Sequence, residues 1–168
     1  MRTGIRLGVD VGSVRVGLAA SDPAGILATP IQTLERDLSS GADQGAIEAV
    51  VLERDVLEVV VGLPRSLSGG EGPAAGGARS YATALAARIS PVPVRLVDER
   101  LTTIDAHRKL RESGLPGRAQ RAVVDQAAAV LILQAALDAE KSSGRPPGEL
   151  VAGRKPRASR TKAGGSKK

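Results

Sequence analysis

The 168 residues carry 24 Lys or Arg against 18 Asp or Glu, one histidine (His107) and no cysteine. One well-buried domain fits that length, and two do not. Disulfides, thiolate chemistry and sulfur- or histidine-built zinc sites are excluded, so any metal must be held by oxygen. The +6 net charge is a property of the tail. Residues 154–168 hold seven basic groups and no acid, leaving 17 basic against 18 acidic groups in residues 1–153. Such a run buries too little apolar surface to order itself, and reads either as a solubilising extension or as a phosphate-attracting arm. The N-terminus has no signal-peptide pattern, and the apolar run 127–133 is far shorter than the ~20 residues of a membrane span, so a cytoplasmic protein is expected.

Residues 5–11, 14–20 and 26–34 read as three strands joined by short turns, an antiparallel meander. Ala46, Ile47, Val50, Val51 and Arg54 then follow at helical spacing. Residues 58–62 contain the Val59-Val60-Val61 run expected of a strand covered on both faces. A Gly/Pro/Ser stretch over 62–77 reads as a long functional loop. Beyond it come a helix over 79–89, a strand over 93–97, a helix over 103–113 stopped by Gly114, and a long apolar helix over 122–140. The order predicts an α/β fold: a mixed five-stranded sheet, three antiparallel strands followed by parallel βα units, flanked by helices. Residues 1–140 form the expected domain and 141–168 a flexible basic tail. Tyr81 is the single aromatic residue, so the core must be aliphatic. Base recognition by aromatic stacking is nearly excluded, and Tyr81 itself reads as a half-buried helix residue.

Three acids require explanation. Asp10 ends the first strand among Gly8, Gly12 and Gly17, where a carboxylate flanked by Val9 and Val11 is costly to ionise unless paired or metal-bound. The glycines leave room for a phosphate or metal, the alternative being an ordinary hairpin in which Asp10 caps a turn. Asp125, read as lying at the start of the last helix, shares a face with Ala128, Ala129 and Ile132. It is either a ligand or a surface charge complementing the helix dipole. Asp98 and Glu99 follow the fifth strand, where ligand sites of α/β sheets form, and the two-residue period lets only one of them face the side of Asp10. Asp10, Glu99 and Asp125 together would supply three oxygen donors suited to Mg²⁺ or Mn²⁺.

Five motifs in this order carry a resemblance over about residues 5–139: G-V-D-V-G-S-V-R-V-G-L-A-A-S-D (8–22), V-V-V-G-L-P (59–64), G-G-E-G-P (69–73), P-V-R-L-V-D-E-R-L-T-T (93–103) and V-D-Q-A-A-A-V-L-I-L (124–133). The chain resembles the YqgF/RuvX family of ribonuclease H-like nucleases, described as Holliday junction resolvases and also implicated in pre-16S ribosomal RNA processing. The resemblance implies a ribonuclease H-like fold and a two-metal-ion endonuclease, a hydrolase in which Asp10, Glu99 and Asp125 are catalytic and hold Mg²⁺ or Mn²⁺. It implies nucleic acid as partner, either precursor rRNA cut in 5′-end maturation or branched DNA, with no membrane and with a homodimer as one form. Arg15, Arg65 and Arg100 would contact phosphates, the alternative being that each pairs with a nearby acid, Arg100 with Asp98 or Asp105. The wider superfamily commonly ends the fourth strand with an acid. Here that place is Gly62-Leu63-Pro64, and Glu99 substitutes from the next strand. Competing expectations are a non-catalytic nucleic-acid-binding module and an actin-like ATP-binding protein, the latter needing far more chain.

Overall fold

The computed structural model describes residues 1–101 and 118–151. Strands β1 (Arg6–Val11), β2 (Arg15–Ser21) and β3 (Ala28–Glu35) form the meander. Helix α1 (Ala42–Glu53), β4 (Glu58–Leu63), α2 (Pro73–Ile89), β5 (Val94–Asp98) and a 3₁₀ turn (Glu99–Leu101) follow, then α3 (Arg118–Ser143) and β6 (Glu149–Leu150). The expected helix over 103–113, with His107 and Asp105, and the basic run 154–168 lie outside the described residues.

The sheet runs β3-β2-β1-β4-β5-β6, parallel where β1 meets β4 and β4 meets β5, antiparallel elsewhere. Six strands therefore replace the expected five. The extra one is two residues long, too short to carry an alternating pattern. It reaches β5 because Gly148, at φ +67°, lies so close to the Leu96 carbonyl that a Cβ there would stand 2.1 Å from the oxygen.

Period two divides the strands between two cores. Leu7, Val9, Val16, Leu18, Val59, Val61 and Leu96 face α1 and α2, meeting Ile47, Val50, Ala78, Ala82 and Leu85. Ala19, Val60 and Val97 face α3, meeting Ala129, Ile132, Leu133 and Ala136. Tyr81 is buried in the first core, its hydroxyl donating to Asp43 Oδ2 at 2.9 Å and the Arg36 guanidinium lying 5.6 Å from its ring centre. Burial, reinforced by that carboxylate, raises the phenol's pKa well above its ordinary value. Tyr81 is thus more deeply buried than expected and offers no platform to a base.

The connection after β4 is shorter than the sequence suggests. Helix α2 starts at Pro73, whose fixed φ suits the first turn, and absorbs the Ala-Ala-Gly-Gly-Ala run that composition assigns to loop. Helix α3 likewise starts four residues before the expected 122. No described helix is long and apolar enough to cross a membrane.

Candidate active site

Asp10 faces α3, on the same side of β1 as Gly8. Its partner across the antiparallel ladder is Gly17 on β2. On its other side the parallel register pairs Val9 with Val61, which brings Gly62 of β4 level with Asp10. Asp10 thus stands in a row between two glycines, with strand spacings of about 4.8 Å. A Cβ on Gly17 would lie 2.1 Å from the Asp125 carbonyl oxygen, and a Cβ on Gly62 would lie 2.7 Å from Glu99 Oε1 and 2.5 Å from Ile132 Cδ1. The glycines therefore seat Asp125 over β2 and Glu99 over β4, with Asp10 between them. All three are buried, at 2%, 5% and 2% exposure for Asp10, Glu99 and Asp125.

The glycines do not leave the open approach for a ligand that their composition suggests. Gly8 is filled by α3, since a Cβ would meet Leu133 Cβ at 2.7 Å and the Ala129 carbonyl at 2.9 Å. Gly12 lies in the hairpin turn against the Arg15 carbonyl, 2.6 Å from where a Cβ would be. What these residues admit is the helix backbone, which lets Asp125 approach the sheet. Gly17→Ala is accordingly expected to push α3 outward and cost about 1–3 kcal/mol or more. Urea denaturation checks this, and an unchanged midpoint would contradict the close packing.

Asp125 also differs from its expected setting. Because α3 begins at Arg118, Asp125 lies about two turns inside the helix, beyond reach of the macrodipole, which fades after the first turn. Its compensation comes from β2, where Arg15 Nε donates to Asp125 Oδ2 at 2.9 Å. Asp98 lies on the other face of β5, that of Leu96, and its carboxylate takes Arg100 in a close ion pair, Nη2 to Oδ2 at 2.6 Å. The hydrogen bond from Arg100, reinforced by the charges of Arg100 and Arg65, holds Asp98 below the usual carboxylate range. Arg65 reaches Glu71 at 3.6 Å. Each of the three candidate arginines thus meets an acid in this structure, and Arg65 and Arg100 gather on the β4–β5 side.

The donor set is chemically that of a hard divalent cation, all oxygen and all buried. It is not a preformed cage, because no three acidic or histidine side chains among the described residues are gathered as a metal cluster. Asp10, Glu99 and Asp125 fit such an ion in donor chemistry, all buried oxygen on one face of the sheet, with Asp125 turned toward Arg15. Sequence reasoning noted Gly62-Leu63-Pro64 only as a missing acid. The missed signal was that a glycine at this position makes room for a carboxylate from the neighbouring strand.

A meander continued by parallel βα units, with acids at the carboxyl ends of its central strands and a helix packed across them, is a ribonuclease H-like architecture. Among solved structures, Thermus thermophilus RuvC in complex with a Holliday junction substrate shares it, with a TM-score of 0.52 at 15% identity, covering 85% of this chain and 99% of that one. The family model RuvX, described as Holliday junction resolvase, matches residues 4–139, and the chain belongs to that family. Relatives named "Putative pre-16S rRNA nuclease" include one from Nocardioides sp., 58% identical over 90% of this chain and 98% of its own. Others come from Streptomyces coelicolor, 57% identical over 90% of each chain, and Thermobifida fusca, 54% identical over 91% of this chain and 99% of its own.

Proposed function

We propose that this protein is a metal-dependent endonuclease that hydrolyses a phosphodiester of precursor 16S rRNA during 5′-end maturation in the cytoplasm. The observation that carries the reading is three buried acids on one face of the sheet, Asp10 between Gly17 and Gly62, the Asp125 backbone over Gly17 and Glu99 Oε1 over Gly62. Buried oxygen donors of this kind are the chemistry that a hard divalent cation takes. The names of relatives at 54–58% identity, spanning most of both chains, support the RNA substrate.

Asp10, Glu99 and Asp125 are the residues that would hold Mg²⁺ or Mn²⁺. When bound, the cation supplies Lewis-acid activation of water and neutralises charge developing on the phosphate oxygens, through two ions in the form this proposal favours. The chain's own groups do the rest. Arg15 neutralises Asp125 and can turn its guanidinium to a substrate phosphate once the carboxylate has another cation. Arg65 and Arg100, paired here with Glu71 and Asp98, can exchange those acids for flanking phosphates. The basic run 154–168 would add sequence-independent attraction to the backbone.

The family's description favours a second reading, resolution of four-way DNA junctions. That reaction needs two coordinated cuts and hence a homodimer, whereas trimming one RNA end needs a single site. Purified protein should cut a precursor 16S transcript in Mg²⁺ or Mn²⁺, leaving 5′-phosphate and 3′-hydroxyl ends, and lose the activity in EDTA. Cleavage of a synthetic junction with the RNA left intact would transfer the proposal to the second reading, and cleavage unaffected by EDTA would refute the metal dependence.

A further inference from the structure

The turn between β1 and β2 joins two groups of the candidate site. Asp10 lies two residues before Gly12, and Arg15, whose Nε reaches Asp125 Oδ2, opens the strand that leaves the turn. Gly12 N–H donates to the Arg15 carbonyl at 2.8 Å, a contact so close that a Cβ on Gly12 would stand 2.6 Å from that oxygen. Val14 at the tip is exposed. On the β3 side the ladder ends at Glu35, opposite Arg15.

The next residue, Arg36, holds the turn twice. Its backbone N–H donates to the Val14 carbonyl at 2.8 Å, and its side chain crosses to Gly12, Nη1 donating to that carbonyl at 2.9 Å. The guanidinium is backed by the Tyr81 ring, 5.6 Å from its centre, and the Tyr81 hydroxyl donates to buried Asp43. A ring face and a charge-assisted bond together fix the orientation of a planar guanidinium. Arg15, Arg65 and Arg100 each meet an acid, whereas the Arg36 guanidinium meets a carbonyl and a ring. Tyr81 belongs to the core under α1 and α2, so the turn is braced from the face of the sheet opposite the three acids.

We infer that Arg36 is a positioning residue of the nuclease, holding the β1–β2 turn and with it the end of β1 that carries Asp10 and the start of β2 that carries Arg15. The inference rests on the proposed nuclease function. Groups set by a short turn move when the turn moves, and a misplacement of about 1 Å in an active site can cost about 100-fold in rate. Arg36 acts through the backbone of the turn, as a support for groups that do the chemistry.

Arg36→Met keeps an unbranched stem against Tyr81 and removes the donor to Gly12, while Arg36→Lys keeps a charged donor. In metal-free full-length protein, amide hydrogen exchange followed by NMR should show the Gly12 N–H exchanging about tenfold faster or more in Arg36→Met than in wild type, with Arg36→Lys near wild type. On precursor RNA in Mg²⁺, Arg36→Met should lose about tenfold or more in kcat per folded molecule with KM within about twofold, and Arg36→Lys should recover most of the loss. A defect confined to KM would make Arg36 a phosphate contact, and faster exchange at Gly12 with wild-type kcat would make it a brace of the fold alone. Either result overturns the inference, as does unchanged exchange at Gly12. A wild-type protein that neither binds nor cuts the RNA would instead remove the nuclease reading, and with it the catalytic part of the inference, while the exchange result still reports the brace.

Discussion

Asp10→Asn protein is expected to fold, bind RNA and fail to cut it. The substitution keeps shape and burial while removing the central charge from a row of three carboxylates, so the affinity for a divalent cation falls with it. Metal activation contributes several kcal/mol to a phosphodiester barrier, and ~4 kcal/mol corresponds to a loss of about 10³-fold in kcat/KM. The melting temperature in EDTA should hold or rise, because like charges crowded in a buried site repel one another without a metal. Glu99→Gln and Asp125→Asn should behave alike in activity. Asp98→Asn should keep most of the activity, since that carboxylate lies on the other face of β5 in its pair with Arg100. Single-turnover cleavage with matched filter-binding assays separates the two effects. Wild-type cleavage by purified Asp10→Asn protein would end the metal-nuclease proposal.

Glu140→Gln is expected to produce the largest loss of stability, at the opposite end of the sheet. Arg6 opens β1 at 1% exposure, and its guanidinium contacts both Glu140 oxygens at 3.3–3.4 Å. Glu140, itself 2% exposed, also takes Arg2 Nε at 2.8 Å, and Arg2 bridges to Glu58, which is fully buried and takes Arg95 as well. Removing one member of a buried pair leaves its partner's charge uncompensated, a cost of about 3–5 kcal/mol. For a chain of this size that lowers the melting temperature by roughly 10 °C. Catalysis per folded molecule should be unaffected. The hydrogen bond from Arg2, with the charges of Arg2 and Arg6, holds the Glu140 carboxyl below its ordinary 4.5. A depressed carboxylate stabilises the fold fully above its unfolded pKa and loses that contribution as pH falls through the folded one. Wild-type stability should therefore decline below about pH 4.5, and Glu140→Gln should show a shallower acid limb. Urea titrations across pH 3–7 measure both, and superimposable acid limbs would show that the network does not carry this pH dependence.

Much of the architecture was legible because it is written in local periodicity. Short turns between apolar runs fix a meander, a Val-Val-Val run marks a strand covered on both sides, and period two puts Asp98 on the Leu96 face of β5. Those rules reach only a few residues along the chain. They locate Asp10 and Asp125 as acids on apolar faces without saying what compensates them, and they misplace the start of α3 and the start of α2, where alanine and glycine carry little signal.

By itself, then, the sequence determined the class of fold, the oxygen-only chemistry of any metal site and the aliphatic core. The tertiary structure alone decided that Gly17 and Gly62 are seats for a helix and a carboxylate, that Arg15 meets Asp125 from 110 residues away, that Glu149 and Leu150 return as a sixth strand, and that Arg36 braces the turn at Gly12. The physical reason is common to all four. Each depends on a distance of a few ångströms between segments or groups placed by packing, and a glycine's role is set by whatever atom occupies the space where its side chain would be.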